Sequence, residues 1–446
     1  MSNTSPFTPA DSLAALDHAI AARATEALSL LARLVEAPSV VGREQAALLI
    51  FESACGGLGL QTRRLPFSSG PVDDRRAGVA PDTSLVTPNR FQVLATTAGS
   101  SDHLTLLLNG HMDVVPAETP DMWTTAPFTA AQRDGRLYGR GAGDMKAGFA
   151  VGYLALAGVL DTSPQFFDDR SLGFLAVIEE ECTGNGTLSS IVDHGVIADQ
   201  VIVLEPSDGG IMIGGVGVLW MDVDVVARSS HAFSAHQSPN AIDLALRVVR
   251  GLEQWAHHLL ETDPDSSLTE ADSPYNVNVG RLTAGDWTST SPSTARLSVR
   301  CGYPRSWSAD RAEGEVRAVI ARITIGDADF PQAPLVRPSG LRAEGYALGS
   351  DHPLVRGLAA AHLDALGSAA NAFSLGSTTD ARIYVNDFAT PAVCYGATAH
   401  DMHGIDESVD LASITSAARA LARFILTRFA ADASRDSIAA DVGAAC

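Results

Sequence analysis

Cysteine is scarce in this sequence, and what there is of it is scattered. Cys55, Cys182, Cys301, Cys394 and Cys446 are five in number with no Cys-x-x-Cys pair among them, which argues against a disulfide framework and against a structural zinc knuckle. Long apolar runs are missing too. No stretch reaches the roughly 20 consecutive apolar residues that a bilayer span needs, and Met1 to Ala10 lacks the basic run and apolar core of a secretory leader. The expectation is a cytoplasmic protein with reduced thiols. Positive charge is also short: 31 Lys and Arg against 52 Asp and Glu give a formal charge of -21. Nucleic acid and anionic membrane are therefore disfavoured as partners, because both are bound through basic patches. Most of the excess carboxylates serve solubility; those at strand ends carry the interest.

What is present is enough chain for more than one core. At 446 residues two domains are the natural expectation. Ala-rich segments of helical period alternate with short apolar runs at Leu104 to Leu108, Leu172 to Ile178, Val201 to Leu204 and Ala392 to Tyr395, which read as strands buried on both faces. The pattern predicts an α/β catalytic domain with a mostly parallel sheet flanked by helices, over residues 1–216 and 334–446. Residues 217–333 read differently, as an inserted βαββαβ unit: strand Val218 to Val226, helix Asn240 to Leu260, strands Tyr275 to Leu282 and Ala295 to Tyr303, helix Ser308 to Ile323, and a last strand near Leu335. Ala245, Val249, Leu252 and Ala256 recur at the spacing of one buried helix face. Gly209, Gly210, Gly214, Gly215 and Gly217 crowd the entry to this unit, as at a domain crossing. Ser68 to Arg90 reads as a surface loop and the last ten residues as a loose tail.

In parallel sheets ligands collect beyond the carboxyl ends of the strands, and the residues following the apolar runs are acids and histidines. Leu106-Leu-Leu-Asn-Gly-His-Met-Asp113 sets His111 and Asp113 two apart, on one side of an extended segment, where the carboxylate can orient the imidazole. By itself a His-x-Asp is more often a solvated turn. Gly139-Arg-Gly-Ala-Gly-Asp-Met-Lys146 delivers Asp144 from a glycine-dense turn; its two oxygens suit two cations, though alone it would read as a helix N-cap. Glu179, Glu180 and Glu181 stack three acids beside a core, which is costly without a cation or a proton. Glu205 ends another strand, and His400 and His403 lie in a turn near the C-terminus. Together these give a mixed nitrogen and oxygen donor set without thiolate, suited to zinc or a similar divalent ion.

These segments, in this order and over essentially the whole chain, resemble the M20 metallopeptidase family, the group of acetylornithine deacetylase, succinyl-diaminopimelate desuccinylase and carboxypeptidase G. The resemblance implies two divalent ions, zinc first and cobalt or manganese as alternatives. His111 and Glu205 would hold one, Glu181 and His403 the other, with Asp144 bridging. It makes Glu180 the general base toward a water shared by the two ions, and Asp113 the partner of the metal-bound histidine. The family spacing to Gly186 selects Glu181 as ligand and Glu180 as base, leaving Glu179 where Asp is usual. His-x-x-(Asn/Asp)-Glu fits His403 to Glu407, not His400. The insert resembles the family's lid, implying a homodimer formed through it. In Ser230-His231-Ala232 the histidine would stabilise the oxyanion, often from the neighbouring subunit. Asn278, Arg300 and Arg382 fall where the family contacts substrate, although for the two arginines a structural ion pair is an equal alternative. The implied activity is hydrolysis of an amide bond in an N-acyl amino acid. A dipeptidase or carboxypeptidase is the alternative, and a non-catalytic binding relative a further one.

Overall fold

The computed structural model describes residues 9–67, 74–80, 89–98, 103–168, 170–268 and 273–443. Two sheets organise them. In the larger, of nine strands, Leu172–Val177, Leu106–His111, Val201–Val203 and Ala392–Cys394 lie side by side and parallel. Their residues are wholly buried, which is why each appears in the sequence as a continuous apolar run without alternation. Antiparallel strands extend both flanks, Phe91–Thr96 and Gln61–Pro66 on one side and Ile211–Gly215 and Tyr346–Ala347 on the other. The helices Pro9–Glu36, Ala147–Thr162, Pro353–Leu366 and Leu411–Gly443 pack against one another and against the sheet. The helix Ala147–Thr162 is buried almost all round, as its apolar composition requires. The last helix continues through residues 437–443, where a loose tail was expected; residues 444–446 lie outside the described residues.

The second sheet has four antiparallel strands in the order Val277–Ala284, Thr294–Tyr303, Gly217–Val226 and Leu335–Ala343. Its strands alternate buried and exposed residues. One face packs on the helices Ala241–Thr262 and Ala309–Thr324, forming a core of its own around Leu244, Val248, Leu252, Leu297 and Val316. The helix Ala241–Thr262 opens on a capping box, with Asn240 and Asp243 each bonding the other's backbone N–H. The fourth strand runs to Ala343, past the boundary at residue 333 drawn from the sequence. The chain crosses between the sheets at Val216, which lies between strands Ile211–Gly215 and Gly217–Val226.

Candidate metal centre

Because the four central strands are parallel, their carboxyl ends share one edge of the sheet, and the turns that follow bring the predicted residues together there. His111 is the last residue of its strand. Glu180 and Glu181 follow the strand Leu172–Val177 through Glu179, whose φ of +65° turns the chain sharply. Gly186 makes that turn possible: a Cβ there would stand 1.8 Å from the Ile178 carbonyl oxygen. Glu205 follows Val201–Val203. His403, φ +63°, sits in the loop after Ala392–Cys394.

Asp144 is the centre of the cluster. Its Oδ1 lies 3.1 Å from His111 Nε2, which is itself 3.6 Å from Glu205 Oε1. Its Oδ2 lies 3.3 Å from His403 Nε2, which is 3.1 Å from Glu181 Oε2. The carboxylate is thus shared between two histidine and glutamate pairs, one on each oxygen. Donors each about 2.0 to 2.2 Å from a tetrahedral ion stand roughly 3.3 to 3.6 Å apart, so these spacings suit ligation. His111, Asp144 and Glu181 offer donor atoms that all lie within 4.8 Å of one another. Among the described residues the buried Glu181 Oε1 has no hydrogen-bond partner, a costly state for a carboxylate oxygen that a cation removes. The residues present fit a divalent metal.

The charges of the side chains alone carry the same message. Burial would lower the pKa of His111, yet Glu205, Asp144 and Asp113 hold it well above the usual histidine range. Asp144 and Glu181 likewise outweigh burial at His403 and raise it. Asp144, despite burial, is held below the carboxylate range by His111 and His403. Burial pushes Glu205 up to about 8, with His111 opposing and Asp144 and Glu181 adding. Glu180 is pushed well up by burial, with His111 opposing and Asp380 and Glu205 adding. Carboxyls strained upward beside imidazoles held charged are what a site built for cations looks like when protons balance it.

Other predicted residues fall differently. The Asp113 carboxylate lies 3.7 Å from His111 Nδ1, beyond hydrogen-bond distance. The Asp113 backbone carbonyl takes the Nδ1 proton at 2.8 Å, leaving Nε2 facing the cluster. The carboxylate instead accepts the backbone N–H of Glu180 at 3.3 Å and of Glu181 at 3.1 Å, fixing the acidic turn. Arg382 is buried, bonds the carbonyls of Thr379 and Thr183 and lies 3.5 Å from Asp380 Oδ1; it is not among the residues lining the cavity. His400 lies 3.3 Å from Asp410 Oδ1, and His362 is buried on the Tyr395 hydroxyl. His231 is exposed at the tip of the smaller sheet, its Nδ1 accepting the Phe233 N–H, and does not line the cavity over the cluster.

That cavity, of about 1890 Å³, lies between the cluster and the smaller sheet. Asp144, Glu180, Glu181, Glu205 and His403 line one side, and Trp220, Asn278 and Arg300 the other. Arg300 donates to Asn276 Oδ1 at 2.6 Å and to Ser377 Oγ at 3.0 Å. No carboxylate pairs with it among the described residues.

Three supports escaped the sequence reading. The wholly buried Glu407 accepts four bonds, Arg140 Nη1 (2.6 Å) and Gly141 N (3.0 Å) on Oε2, and Gly143 N (3.0 Å) and Asp144 N (2.9 Å) on Oε1. Lys146, the sole lysine of the sequence, is fully buried and donates from Nζ to the carbonyls of Leu34 (2.7 Å) and Ala37 (3.1 Å). Buried Asp380 accepts from Thr187 Oγ1 at 2.6 Å behind Glu180. A lone lysine among arginines was a signal in the sequence; for Glu407 there was only its place in the His403 to Glu407 motif, and for Asp380 only its nearness to Arg382.

A histidine and carboxylate cluster fit for divalent cations at the carboxyl edge of a parallel sheet is an arrangement that metallohydrolases use. The family model for Peptidase family M20/M25/M40 matches residues 107–427, and the chain belongs to that family. It is a metal-dependent hydrolase of amide C–N bonds. It is 29% identical over 423 residues to succinyl-diaminopimelate desuccinylase of Gluconacetobacter diazotrophicus, covering 91% of this chain and 98% of that protein. It is also 29% identical over 413 residues to the same enzyme of Paracoccus denitrificans, covering 90% and 98%. Human carnosine dipeptidase 1 has a similar structure, with TM-score 0.73 at 14% identity, covering 93% of this chain and 99% of that one. Among the described residues, no helix is long and apolar enough to cross a membrane.

Proposed function

We propose that this enzyme removes the acyl group from a small N-acyl amino acid, as a deacylase of the acetylornithine deacetylase type. The observation that carries the reading is Asp144 shared between the His111–Glu205 and Glu181–His403 pairs, which suits two cations, zinc in the first instance. Cations held there supply Lewis-acid polarisation of the amide carbonyl and an acidified water. The chain supplies the rest. Glu180 lines the cavity and takes no part in the His111, Asp144 and Glu181 set. Its carboxylate receives the proton of the attacking water and hands it to the departing amine, a role that the upward push of burial suits. Arg300, in the cavity wall and without an acid partner among the described residues, takes the carboxylate of the amino-acid half of the substrate, with Asn278 beside it in register. The relatives named for removal of a succinyl group favour an acyl substrate. The size of the cavity, beyond the 300 to 1,000 Å³ or so of most small-ligand sites, favours a dipeptidase or carboxypeptidase as second reading.

The lid histidine acts from a second copy in this proposal. His231 is exposed beside Phe233 and Trp287, which are 86% and 73% exposed, and among the described residues Val277–Ala284 is an edge strand with no further strand paired to it. Exposed aromatics next to a free strand edge suit pairing with another copy. The experiment mixes His231→Ala and Glu180→Ala chains, each inactive alone with its metal retained. Recovery of about a quarter of wild-type activity is expected from random C2 pairing. No recovery refutes the trans arrangement, and near-normal turnover by Glu180→Ala refutes the base.

A further inference from the structure

Residues 74–80 lie within the stretch that reads in the sequence as a surface loop, yet they are pinned between the two sheets. Asn185, four residues beyond Glu181, clamps Gly78 on both sides: its Oδ1 accepts the Gly78 N–H at 2.8 Å and its Nδ2 donates to the Gly78 carbonyl at 3.0 Å. The next residue, Val79, forms an antiparallel bridge with Gly340 of the smaller sheet, N–H to carbonyl at 2.9 Å one way and 2.5 Å the other. The packing leaves no slack. A Cβ on Gly78 would stand 2.7 Å from the Thr183 carbonyl oxygen, 2.8 Å from Thr183 Cα and 2.9 Å from the Gly340 carbonyl oxygen, all backbone atoms. On the outer side Arg76 pairs with Asp74 and lies over the Phe388 ring. Gly340 in turn lies directly against the Trp220 ring, and Trp220 is the cross-strand neighbour of Arg300. Ala80, Trp220 and Leu341 all line the cavity.

We propose that Gly78 and Val79, held by Asn185 and Gly340, fix a wall of the substrate cavity, and that Ala80, the next residue and one that lines the cavity, limits the size of the amino-acid side chain admitted beside Trp220. The inference rests on the reading of Arg300 as the anchor of the substrate carboxylate. The side chain branches from the carbon next to that carboxylate, so it meets the ring across the sheet from Arg300 and the wall behind that ring. Because the wall is tied to the turn bearing Glu180 and also to the sheet bearing Arg300, its position relative to both the base and the carboxylate anchor is set. A gap bounded by bonded backbone admits side chains by size.

The test measures kcat/KM of the metal-loaded full chain on N-acetyl derivatives of alanine, leucine and phenylalanine, and on dipeptides with the same C-terminal residues. The quantity read is the ratio of the largest side chain accepted by the wild type to alanine, which is independent of the fraction of enzyme that is folded. Ala80→Phe is expected to lower this ratio at least tenfold. Asn185→Ala, which releases the wall from the turn bearing Glu180, is expected to raise it at least fivefold with metal content unchanged. A ratio within twofold of wild type in either variant overturns the wall. A wild-type enzyme that cleaves no member of either series overturns the underlying functional reading together with it.

Discussion

Replacing Glu407 with alanine is expected to loosen both halves of the metal site at once. Its carboxylate ties the loop that carries Asp144 to the loop that carries His403, through the four bonds to Arg140, Gly141, Gly143 and Asp144. Arg140 completes the tie by donating from Nη2 to the carbonyls of His403 (3.2 Å) and Gly404 (3.1 Å). Both side chains are buried, 3% and 1% exposed. Removing one partner of such a pair costs about 3 to 5 kcal/mol. The three orphaned backbone N–H groups would each add about 1 to 3 kcal/mol if left dry, but the space vacated by the side chain admits water, so about 4 kcal/mol in all is the expected loss. Outer groups that orient ligands are worth roughly 10- to 100-fold in metal affinity, and Glu407 acts on two ligands. Glu407→Gln is the informative companion: its amide oxygen can replace one carboxylate oxygen, while its NH₂ faces only donors on the other side, so about half the penalty is expected. Urea unfolding of chelator-treated protein measures the first quantity and competition with a chromophoric chelator the second. A glutamine variant within about 0.5 kcal/mol and twofold of wild type in both would refute the bracket.

Loading the centre with zinc should release protons, because His111 and His403 are held charged and Glu205 is pushed up to about 8 in the unloaded cluster. Affinity should therefore fall as pH drops from 8 to 6, by about tenfold per unit for each proton displaced, and calorimetry in two buffers of different ionisation heat counts those protons; a pH-independent affinity contradicts the ligand set. Asp17, bonded by Arg419 and Arg423 across the first and last helices, is lowered from 3.8, first by the Arg419 hydrogen bond. Its contribution is complete above pH 3.8 and disappears as pH falls through the lowered value in the fold. Asp17→Asn should thus lose about 1 to 2 kcal/mol at pH 7, and the gap to wild type should close in acid; a gap that persists at pH 2 shows that packing, not charge, is at work there.

The sequence by itself determined a good deal, because some physics is local. Apolar runs buried on both faces announce a parallel sheet, and a parallel sheet has one chemically useful edge. From that, the acids and imidazoles that follow the runs belong together before any coordinate is known, and the resemblance to the M20 family picks positions 111, 144, 181, 205 and 403 among them; the alternation in Gly217–Val226 and Thr294–Tyr303 marks a second sheet with one wet face. Tertiary structure decided what depends on orientation and on partners distant in the chain. His111 and Asp113 share a side of their strand, yet it is a carbonyl that meets the ring and the carboxylate that holds the next turn, a distinction of about 1 Å that residue spacing does not encode. Arg300 and Arg382 are both arginines near family motifs, and only burial separates the one facing the cavity from the one sealed under a turn. Residues 74–80 have the composition of a loop, but Asn185 and Gly340 hold them as a wall. Hydrogen bonds between segments a hundred or more residues apart leave no periodicity behind, so only the folded chain reveals which neighbours a polar side chain finds.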